Sequence, residues 1–280
     1  MTKKEIIGYY DYTTPYYRDF WWENGESMAI HYGFWYKGTK SMNEALLNTN
    51  SFLAEKLGIG SSMSVLDAGC GVGGSSIWLA KHMGVKVTGI SLSSMQIREA
   101  KRLARISSVS ESTRFYVMDY LHTRFRSKSF DIVWAIESAC HCDDKEEFLK
   151  EGYRLLRKGG RMAVCDGFLT GKLTNRRDRK TIDQFTRGLA VPNLASLKSF
   201  RRSMAMVGFR KIRFWDMTEN ILPSARKLYR MMLWAYPVSE LAEKLHLLSP
   251  IMTRNNLAGL AQYRAFNEKL STYGVFLGEK

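Results

Sequence analysis

Three side chains suited to acid–base chemistry stand near the middle of the chain: Glu137, His141 and Asp166. Because His141 lies between Cys140 and Cys142, the same stretch could also bind a metal. Three potential ligands in three consecutive residues do not match the spacing of common zinc sites. No second Cys-x-x-Cys or pair of histidines is available to complete such a site. The residues therefore favour acid–base chemistry over metal binding, and we predict no metal.

The three side chains are expected to meet at one edge of a sheet. Glu137 and His141 follow the apolar run 130–137, and Asp166 is near the end of the run 161–168. Ligands of open α/β sheets bind beyond the carboxyl ends of the strands. With a reference pKa of ~6.5, His141 is the first candidate for a general base or for a group that orients the acceptor. Alternatively, His141 caps the next helix and Asp166 only satisfies backbone N–H groups.

A glycine-rich turn, "VLDAGCGVGGSS" at 65–76, follows an apolar run and precedes a helical pattern. Gly69 and Gly71 allow a tight turn and close approach of a ligand, and the free N–H groups at the helix start attract anionic groups. With Gly74 the turn also spells G-x-G-x-x-G, but the acid that a dinucleotide site expects about 20 residues later is missing. Asp67 before the first glycine suits a ligand with a cationic amino-acid end, such as S-adenosylmethionine.

The elements that must position these residues alternate along the chain. Short apolar runs and helical patterns follow one another, which is typical of an α/β domain with a parallel sheet. The predicted strands are 64–69, 85–90, 113–119, 130–137, 161–168, 208–218 and 271–280. The predicted helices are 41–60, one beginning near Gly74, 93–106, 145–157, and much of 170–205 and 222–268.

Composition limits the class of protein. The 280 residues are 45% apolar and 25% charged, as in a soluble globular protein, and the four cysteines follow no disulfide spacing. Neither a signal peptide nor a membrane span is recognised, so we expect a cytoplasmic protein. The net charge of +15 favours anionic partners. The basic cluster 172–180, with Arg201 near it, is either a solvated face or a site for a phosphorylated acceptor or an anionic membrane surface. No nucleic-acid module is visible, and we expect no nucleic acid.

Several segments resemble class I S-adenosylmethionine-dependent methyltransferases. "LDAGCGVGG" resembles their first motif, and "VTGISLSSMQ" resembles a segment of one branch. That branch contains tocopherol and sterol C-methyltransferases, cyclopropane-fatty-acid synthases, phosphoethanolamine methyltransferases and natural-product methyltransferases. Further similar segments are "YYDYTTPYY", "IHYGFW", "MDY", residues 137–168 and "YGVFLGEK". The resemblance implies a Rossmann-like, seven-stranded α/β sheet with an aromatic N-terminal lid and a helical insertion before the last strands.

The same resemblance implies S-adenosylmethionine as the cofactor and S-adenosylhomocysteine as its product. The residues that would contact its methionine, ribose and adenine parts are, in that order, Asp67, Gly69 and Gly71; Ser91, Leu92 and Gln96; and Met118, Asp119 and Tyr120. Asp119 would accept from the adenine amine, or it is an ordinary aspartate at a strand end. Gln96 could equally be an exposed helix residue. Ile136 and His31 are further candidates, although a lone histidine such as His31 is more often structural.

The resemblance also suggests roles around the transferred methyl group. Tyr10 matches a tyrosine that closes over the cofactor and can pair with His141, although Tyr9 and Tyr17 compete for that role. These rings could also do no more than pack the lid, in which Trp22 is a further aromatic residue. Glu137 would hold the backbone near the methionine end or assist a carbocation. Asp166 would orient the base or bind a hydroxyl of the acceptor.

The predicted organisation has four parts: lid helices at 1–60, a cofactor-binding core at 61–168, a helical acceptor-binding insertion at 169–270 with strand 208–218, and a last strand at 271–280. The predicted function is methyl transfer to a hydrophobic small molecule, isoprenoid, lipid-like or aromatic, with C-methylation favoured. The alternative is N- or O-methylation of a small polar amine, sugar or phospho-base. An NAD oxidoreductase and a non-catalytic cofactor-binding subunit fit the residues less well. The apolar segment 221–252 could line a pocket or join subunits of a homo-oligomer.

Overall fold

The protein is described here by a computed structural model that covers residues 1–21, 25–171 and 173–280. Trp22 of the aromatic N-terminal segment and Lys172 at the start of the basic cluster lie outside these described residues.

The described residues form one seven-stranded sheet between helices. The strands are β1 Ser64–Ala68, β2 Lys86–Ser91, β3 Thr113–Val117, β4 Phe130–Ile136, β5 Leu156–Leu169, β6 Arg210–Asp216 and β7 Ser271–Glu279. Their order across the sheet is β3-β2-β1-β4-β5-β7-β6. The strands β1 to β5 pair in parallel, whereas β7 pairs antiparallel with both β5 and β6. The predicted seven-stranded α/β architecture is confirmed, and β1 to β5 form the parallel sheet expected from the alternation of strands and helices.

The helices that the structure describes are α1 Lys3–Trp21, α2 Met42–Leu57, α3 Gly74–Met83, α4 Ser94–Ile106, α5 Lys145–Leu155, α6 Arg176–Gly188, α7 Leu197–Val207, α8 Thr218–Lys244 and α9 Pro250–Asn267. Most lie close to the predicted patterns. The predicted helix 145–157 ends at Leu155, because Leu156 already pairs with Phe130 at the start of β5.

The central strands explain how the core forms. Along β1 and β4, successive apolar side chains point to opposite faces of the sheet, as pleated geometry requires. Val65 and Trp134 are buried on one face, and Leu66 and Val133 are buried on the other. Both faces of these strands are therefore covered, which is why their sequences are continuously apolar rather than alternating.

The segment between β5 and β7 supplies a helical layer. In this layer α9 packs against both α6 and α8, and it also contacts β7. The N-terminal helix α1 contacts α4 and α9. Among the helices that the structure describes, none combines the length and the apolar character needed to cross a bilayer.

Candidate functional site

A cavity opens at the carboxyl ends of β1, β2 and β4 and is bordered by α1. It brings together most of the residues that the sequence singled out. Those that line it are Tyr10, His31, Asp67, Gly69, Gly71, Ser91, Leu92, Gln96, Tyr120, Ile136, Glu137 and His141. Met118, Asp119 and Asp166 do not line this cavity. We refer to it as the first cavity.

The glycine turn forms its floor. Gly69 has φ +98°, in the left-handed region, and a Cβ built there would lie 2.3 Å from Cβ of Ser138. Gly74 begins α3, and a Cβ there would lie 2.3 Å from the Ser27 carbonyl oxygen. By contrast, a Cβ on Gly71, with φ +53°, would come no nearer than 3.8 Å to another residue, Gln96. Gly69 and Gly74 thus allow close packing, whereas Gly71 leaves space open toward the cavity.

Asp67 provides a carboxyl group at the end of β1. It is buried, and its Oδ2 accepts a hydrogen bond of 2.6 Å from the Ser76 hydroxyl. Burial raises the pKa of Asp67 to about 6, although the Ser76 hydrogen bond opposes this shift. Within the described part of the chain, no lysine or arginine forms an ion pair with it. A cationic group bound in the cavity would compensate the buried carboxylate, which fits the ammonium end of S-adenosylmethionine.

Ser91 and Gln96 form a polar pair beside the glycine turn. The Ser91 hydroxyl donates to Oε1 of Gln96 at 2.8 Å, and Nε2 of Gln96 donates to the Thr14 hydroxyl of α1 at 3.3 Å. Gln96 is buried, so the alternative of an exposed helix residue is wrong. Ser93 caps α4 by accepting from the Gln96 backbone N–H, and its own hydroxyl donates to Asp11 of α1. The cap therefore holds the amide beside the cavity and ties it to the lid.

The predicted adenine side is only partly assembled. Tyr120 lines the cavity, and its hydroxyl donates to the Ser138 carbonyl at 2.9 Å. Asp119 is instead turned toward α1, where its Oδ2 lies 2.5 Å from Nζ of Lys3, and its Oδ1 accepts from the Leu121 N–H. Contact between Asp119 and an adenine amine stays a prediction, and the ion pair with Lys3 would compete with that contact. Met118 packs in the core instead of lining the cavity.

His141 lies on a short 3-10 turn, Ala139–His141, directly after β4. Its Nδ1 donates to the Ala190 carbonyl at 2.9 Å, and its Nε2 accepts from the Tyr10 hydroxyl at 2.6 Å. Burial lowers the pKa of His141 to about 4, so the imidazole is neutral. The interpretation of His141 as a helix cap is wrong, since the carboxylate of Asp144 caps α5.

The two cysteines beside His141 are small buried side chains. Cys140 belongs to the 3-10 turn and Cys142 follows it directly, and both side chains are buried. In the described ranges, no three histidine, cysteine or acidic side chains come close enough together to hold a metal ion.

Glu137 is strained and buried at the end of β4. Its φ is +47°, which is unusual for a residue with a side chain. Oε1 accepts from the backbone N–H of Tyr32 at 2.6 Å and from the Tyr273 hydroxyl at 2.7 Å. Burial raises the pKa of Glu137 to about 8, and the nearby Asp166 adds to the shift. The sequence did not single out Tyr32 or Tyr273, although both belong to segments recognised as similar to the family.

Asp166 supports the turn that carries His141 and does not touch the imidazole. Its Oδ2 accepts from the Cys140 N–H and its Oδ1 from the Gly167 N–H, both at 2.8 Å. Burial raises the pKa of Asp166 to about 6. Lys145, also missed from the sequence, clamps the same turn by donating to the carbonyls of Cys140 and Cys142.

His31 is buried, and its Nδ1 donates to the carbonyl of Tyr32 at 2.8 Å. Burial lowers the pKa of His31 to about 4, so this ring is also neutral.

A second cavity adjoins the first and shares Tyr10, Ile30, Glu137 and His141 with it. Its remaining lining is mainly apolar or aromatic: Tyr9, Tyr17, Tyr32, Cys140, Phe185, Leu189, Val191, Leu194, Phe266 and Tyr273, with Asp166 and Gly167 at one end. No lysine or arginine of the described residues lines it. Tyr9 and Tyr17 both donate to Oδ1 of Asn255, and both line the second cavity only. Of these three tyrosines, Tyr10 alone lines both cavities.

Comparisons with known proteins agree with this arrangement. Residues 66–164 match a family described as "Methyltransferase domain". The rice protein cycloartenol-C-24-methyltransferase 1 is 33% identical over 74% of this chain, and the match spans 59% of the rice protein. Methyltransferase GfsG of Streptomyces halstedii is 28% identical over 79% of this chain and 78% of its own length. The cyclopropane synthase MmaA2 of Mycobacterium tuberculosis, 16% identical, shares the fold with a TM-score of 0.83 over 100% of this chain and 99% of its own. Residues 66–164 therefore form a methyltransferase domain, and over most of its length the chain is similar to methyltransferases.

Proposed function

We propose that this protein transfers a methyl group from S-adenosylmethionine to an apolar small molecule. One observation carries the proposal: the first and second cavities meet at a wall formed by Tyr10, Ile30, Glu137 and His141. Methyl transfer needs a donor and an acceptor held in line at close distance. The shared wall is where a cofactor in the first cavity and an acceptor in the second would meet.

The first cavity has groups that match each part of the cofactor, which supplies an electrophilic methyl group on a sulfonium when bound. The Asp67 carboxylate would pair with the ammonium of its methionine end. The Ser91 and Gln96 side chains would exchange hydrogen bonds with the ribose hydroxyls. Gly71, which has no side chain, leaves room for the cofactor to come close to the backbone of the turn. Tyr120 would flank the base. Contact of Asp119 with the base would require its ion pair with Lys3 to open.

The second cavity favours an apolar acceptor. Aromatic rings and aliphatic side chains surround it, and the described residues place no cation in its wall to hold a phosphate. An isoprenoid or an aromatic natural product would suit this lining, and the name of the rice relative, cycloartenol-C-24-methyltransferase 1, points to an isoprenoid acceptor. Methylation of an alkene carbon places positive charge on the acceptor. Tyrosine faces and the carboxyls of Glu137 and Asp166 could stabilise that charge, so we favour C-methylation.

Tyr10 and His141 would receive the proton that the acceptor loses. The imidazole is neutral and its Nε2 already accepts the Tyr10 proton, so the pair can act as a relay at the shared wall. A base held in a dry site works best when its partner hydrogen bonds fix its orientation. The Ala190 carbonyl supplies that hydrogen bond to Nδ1.

We assign acceptor binding to α6, α9 and the loop 189–194, because residues of these segments line the second cavity. The exposed basic cluster at the start of α6 does not line the second cavity, and Arg177 there pairs with Glu268. We therefore propose that any anionic group it binds lies outside the reacting part of the acceptor. Four buried free cysteines favour a cytoplasmic site of action.

A labelled-methyl assay tests the proposal. The acceptor panel holds a sterol, a linear isoprenoid, an aromatic phenol, a sugar and phosphoethanolamine, and the methylated atom is then located by NMR. We expect carbon methylation of an isoprenoid or aromatic compound. Methylation of phosphoethanolamine or the sugar alone would support the polar-acceptor alternative. Calorimetry with S-adenosylhomocysteine and NAD provides the cofactor arm: binding of NAD alone would overturn the proposal entirely.

A further inference from the structure

One face of α8 exposes apolar side chains that the described elements leave uncovered. Trp234 is 81% exposed, Val238 68%, Leu241 60% and Leu245, at the helix end, 58%. We call these four residues the α8 stripe. Leu247, 77% exposed, continues the apolar surface just beyond the helix.

The α8 stripe is continuous rather than scattered. Its members are spaced by four, three and four residues, so they fall within an arc of about 60° along roughly 16 Å of helix. The face turned away from the stripe already packs inside the protein, where Met232 lies against Gly259 of α9. The fold therefore does not need the stripe for its own packing. Large contiguous apolar patches on a protein surface usually mark an interaction site.

Charge selects the kind of partner. Lys227 and Arg230 lie on the same face one to two turns before Trp234, whereas Lys244, adjacent to Leu245, pairs with Glu240 one turn earlier. A helix with Trp and Leu on one face and Lys or Arg beside them is typical of helices that lie in a lipid interface. A second copy of this chain carries the same net charge of +15 and would be repelled, whereas an anionic lipid surface attracts it.

We propose that the α8 stripe docks on an anionic lipid surface, with Trp234 and the leucines at the boundary of headgroups and acyl chains. This contact goes beyond methyl transfer and does not depend on it. It would bring the helical layer over the second cavity close to the membrane, because α8 packs on α9 and Phe266 of α9 lines that cavity. An apolar acceptor partitions into lipid, so the surface would supply acceptor at the same side of the protein.

Vesicle co-sedimentation tests the contact with the full chain. The vesicles contain either phosphatidylcholine alone or equal parts of phosphatidylcholine and phosphatidylserine. The stripe variant is Trp234→Ser with Leu241→Ser, and the charge variant is Lys227→Gln with Arg230→Gln. The matched control is Ile106→Ser with Met206→Ser, two similarly exposed apolar residues on α4 and α7. Thermal unfolding of each variant checks that it is folded.

We expect the wild type and the control to sediment with the anionic vesicles and much less with phosphatidylcholine alone. The stripe variant should bind at least about tenfold more weakly, and added salt should release the wild type. The charge variant should lose the preference for phosphatidylserine. Equal sedimentation of the wild type and the stripe variant would overturn the proposal. The proposal would also be overturned if the wild type does not bind vesicles but forms a dimer in ultracentrifugation, while the stripe variant is monomeric.

Discussion

The hydroxyl of Tyr10 donates to Nε2 of His141 across 2.6 Å, and the other ring nitrogen of His141 donates to the Ala190 carbonyl. Both nitrogens are therefore engaged, with the ring in its neutral Nδ1–H form. A proton from an acceptor can reach the imidazole only after the Tyr10 hydroxyl turns away or passes on its own proton. The relationship couples α1, which carries Tyr10, to the turn after β4.

Removing either partner should lower turnover while cofactor affinity is nearly kept. Because general acid–base groups contribute about 10²- to 10⁴-fold, we expect Tyr10→Phe and His141→Ala each to lose about 10²-fold or more in kcat. The double variant should lose little beyond the worse single variant, since the two act as a unit. The measurements are labelled-methyl kinetics and calorimetry with S-adenosylhomocysteine.

Tyr16→Phe is the control for this pair, because Tyr16 is on the same helix but exposed. Full turnover in His141→Ala would show that the histidine is only structural and that catalysis depends on proximity.

Glu137 should release a proton when a cationic cofactor binds. Its pKa is raised to about 8, so at neutral pH the unliganded carboxyl is mostly protonated. A nearby sulfonium lowers the pKa of a carboxyl group. Calorimetry in buffers of different ionisation enthalpy should therefore detect proton release with S-adenosylmethionine and less with S-adenosylhomocysteine, whose sulfur is uncharged. Glu137→Gln should abolish the difference; equal release with both ligands would place Glu137 away from the sulfur.

The same carboxyl should make stability depend on pH. Its folded pKa is above the ordinary value of 4.5, so its contribution is full below pH 4.5 and is lost as the pH rises through about 8. Relative to Glu137→Gln, the wild type should lose a few kcal/mol of unfolding free energy between about pH 5 and about pH 9. Urea unfolding at several pH values measures this. Parallel pH profiles for the two proteins would contradict the raised pKa.

Gly69→Ala should impair both folding and cofactor binding. Gly69 and Gly38 have the same φ of +98°, but a Cβ on Gly38 meets nothing within 4 Å, whereas one on Gly69 meets Ser138. Gly38→Ala is therefore the matched control and should cost about 1–2 kcal/mol from backbone conformation alone. Overpacking should add about 1–3 kcal/mol for Gly69→Ala. Denaturant unfolding compares the two, and equal losses would show that the turn relaxes around the new methyl group.

Asp166→Asn should displace the turn that carries His141. Each carboxylate oxygen accepts a backbone N–H, and an amide retains only one acceptor oxygen. The lost hydrogen bond should cost about 1–3 kcal/mol of stability, together with a fall in kcat. Asp131→Asn is the control, because Asp131 accepts from Ser64 and Arg157 outside both cavities. Unchanged kcat in Asp166→Asn would limit Asp166 to a structural role.

Local patterns predicted much of this protein. The strands and the glycine turn depend on short-range periodicity and on backbone conformation, which the sequence displays directly. The partners of Glu137 could not be read in this way, because Tyr32 and Tyr273 come from segments more than 100 residues from it. The ion pair between Lys3 and Asp119 could not be predicted for the same reason, because more than 100 residues separate the two.

The position of β7 bears on the order in which the molecule can assemble. This last strand is inserted between β5 and β6, so β6 has no neighbour in the sheet until residues 271–279 arrive. Tyr273 on the same strand holds Glu137. A chain that has formed only the strands β1 to β5 would therefore have the glycine turn but would still lack the hydrogen bond from Tyr273 to Glu137. Pairing over such long sequence separations is slow. Catalytic activity should therefore appear only when β7 pairs with β5 and β6, because the same step brings the Tyr273 hydroxyl to Glu137.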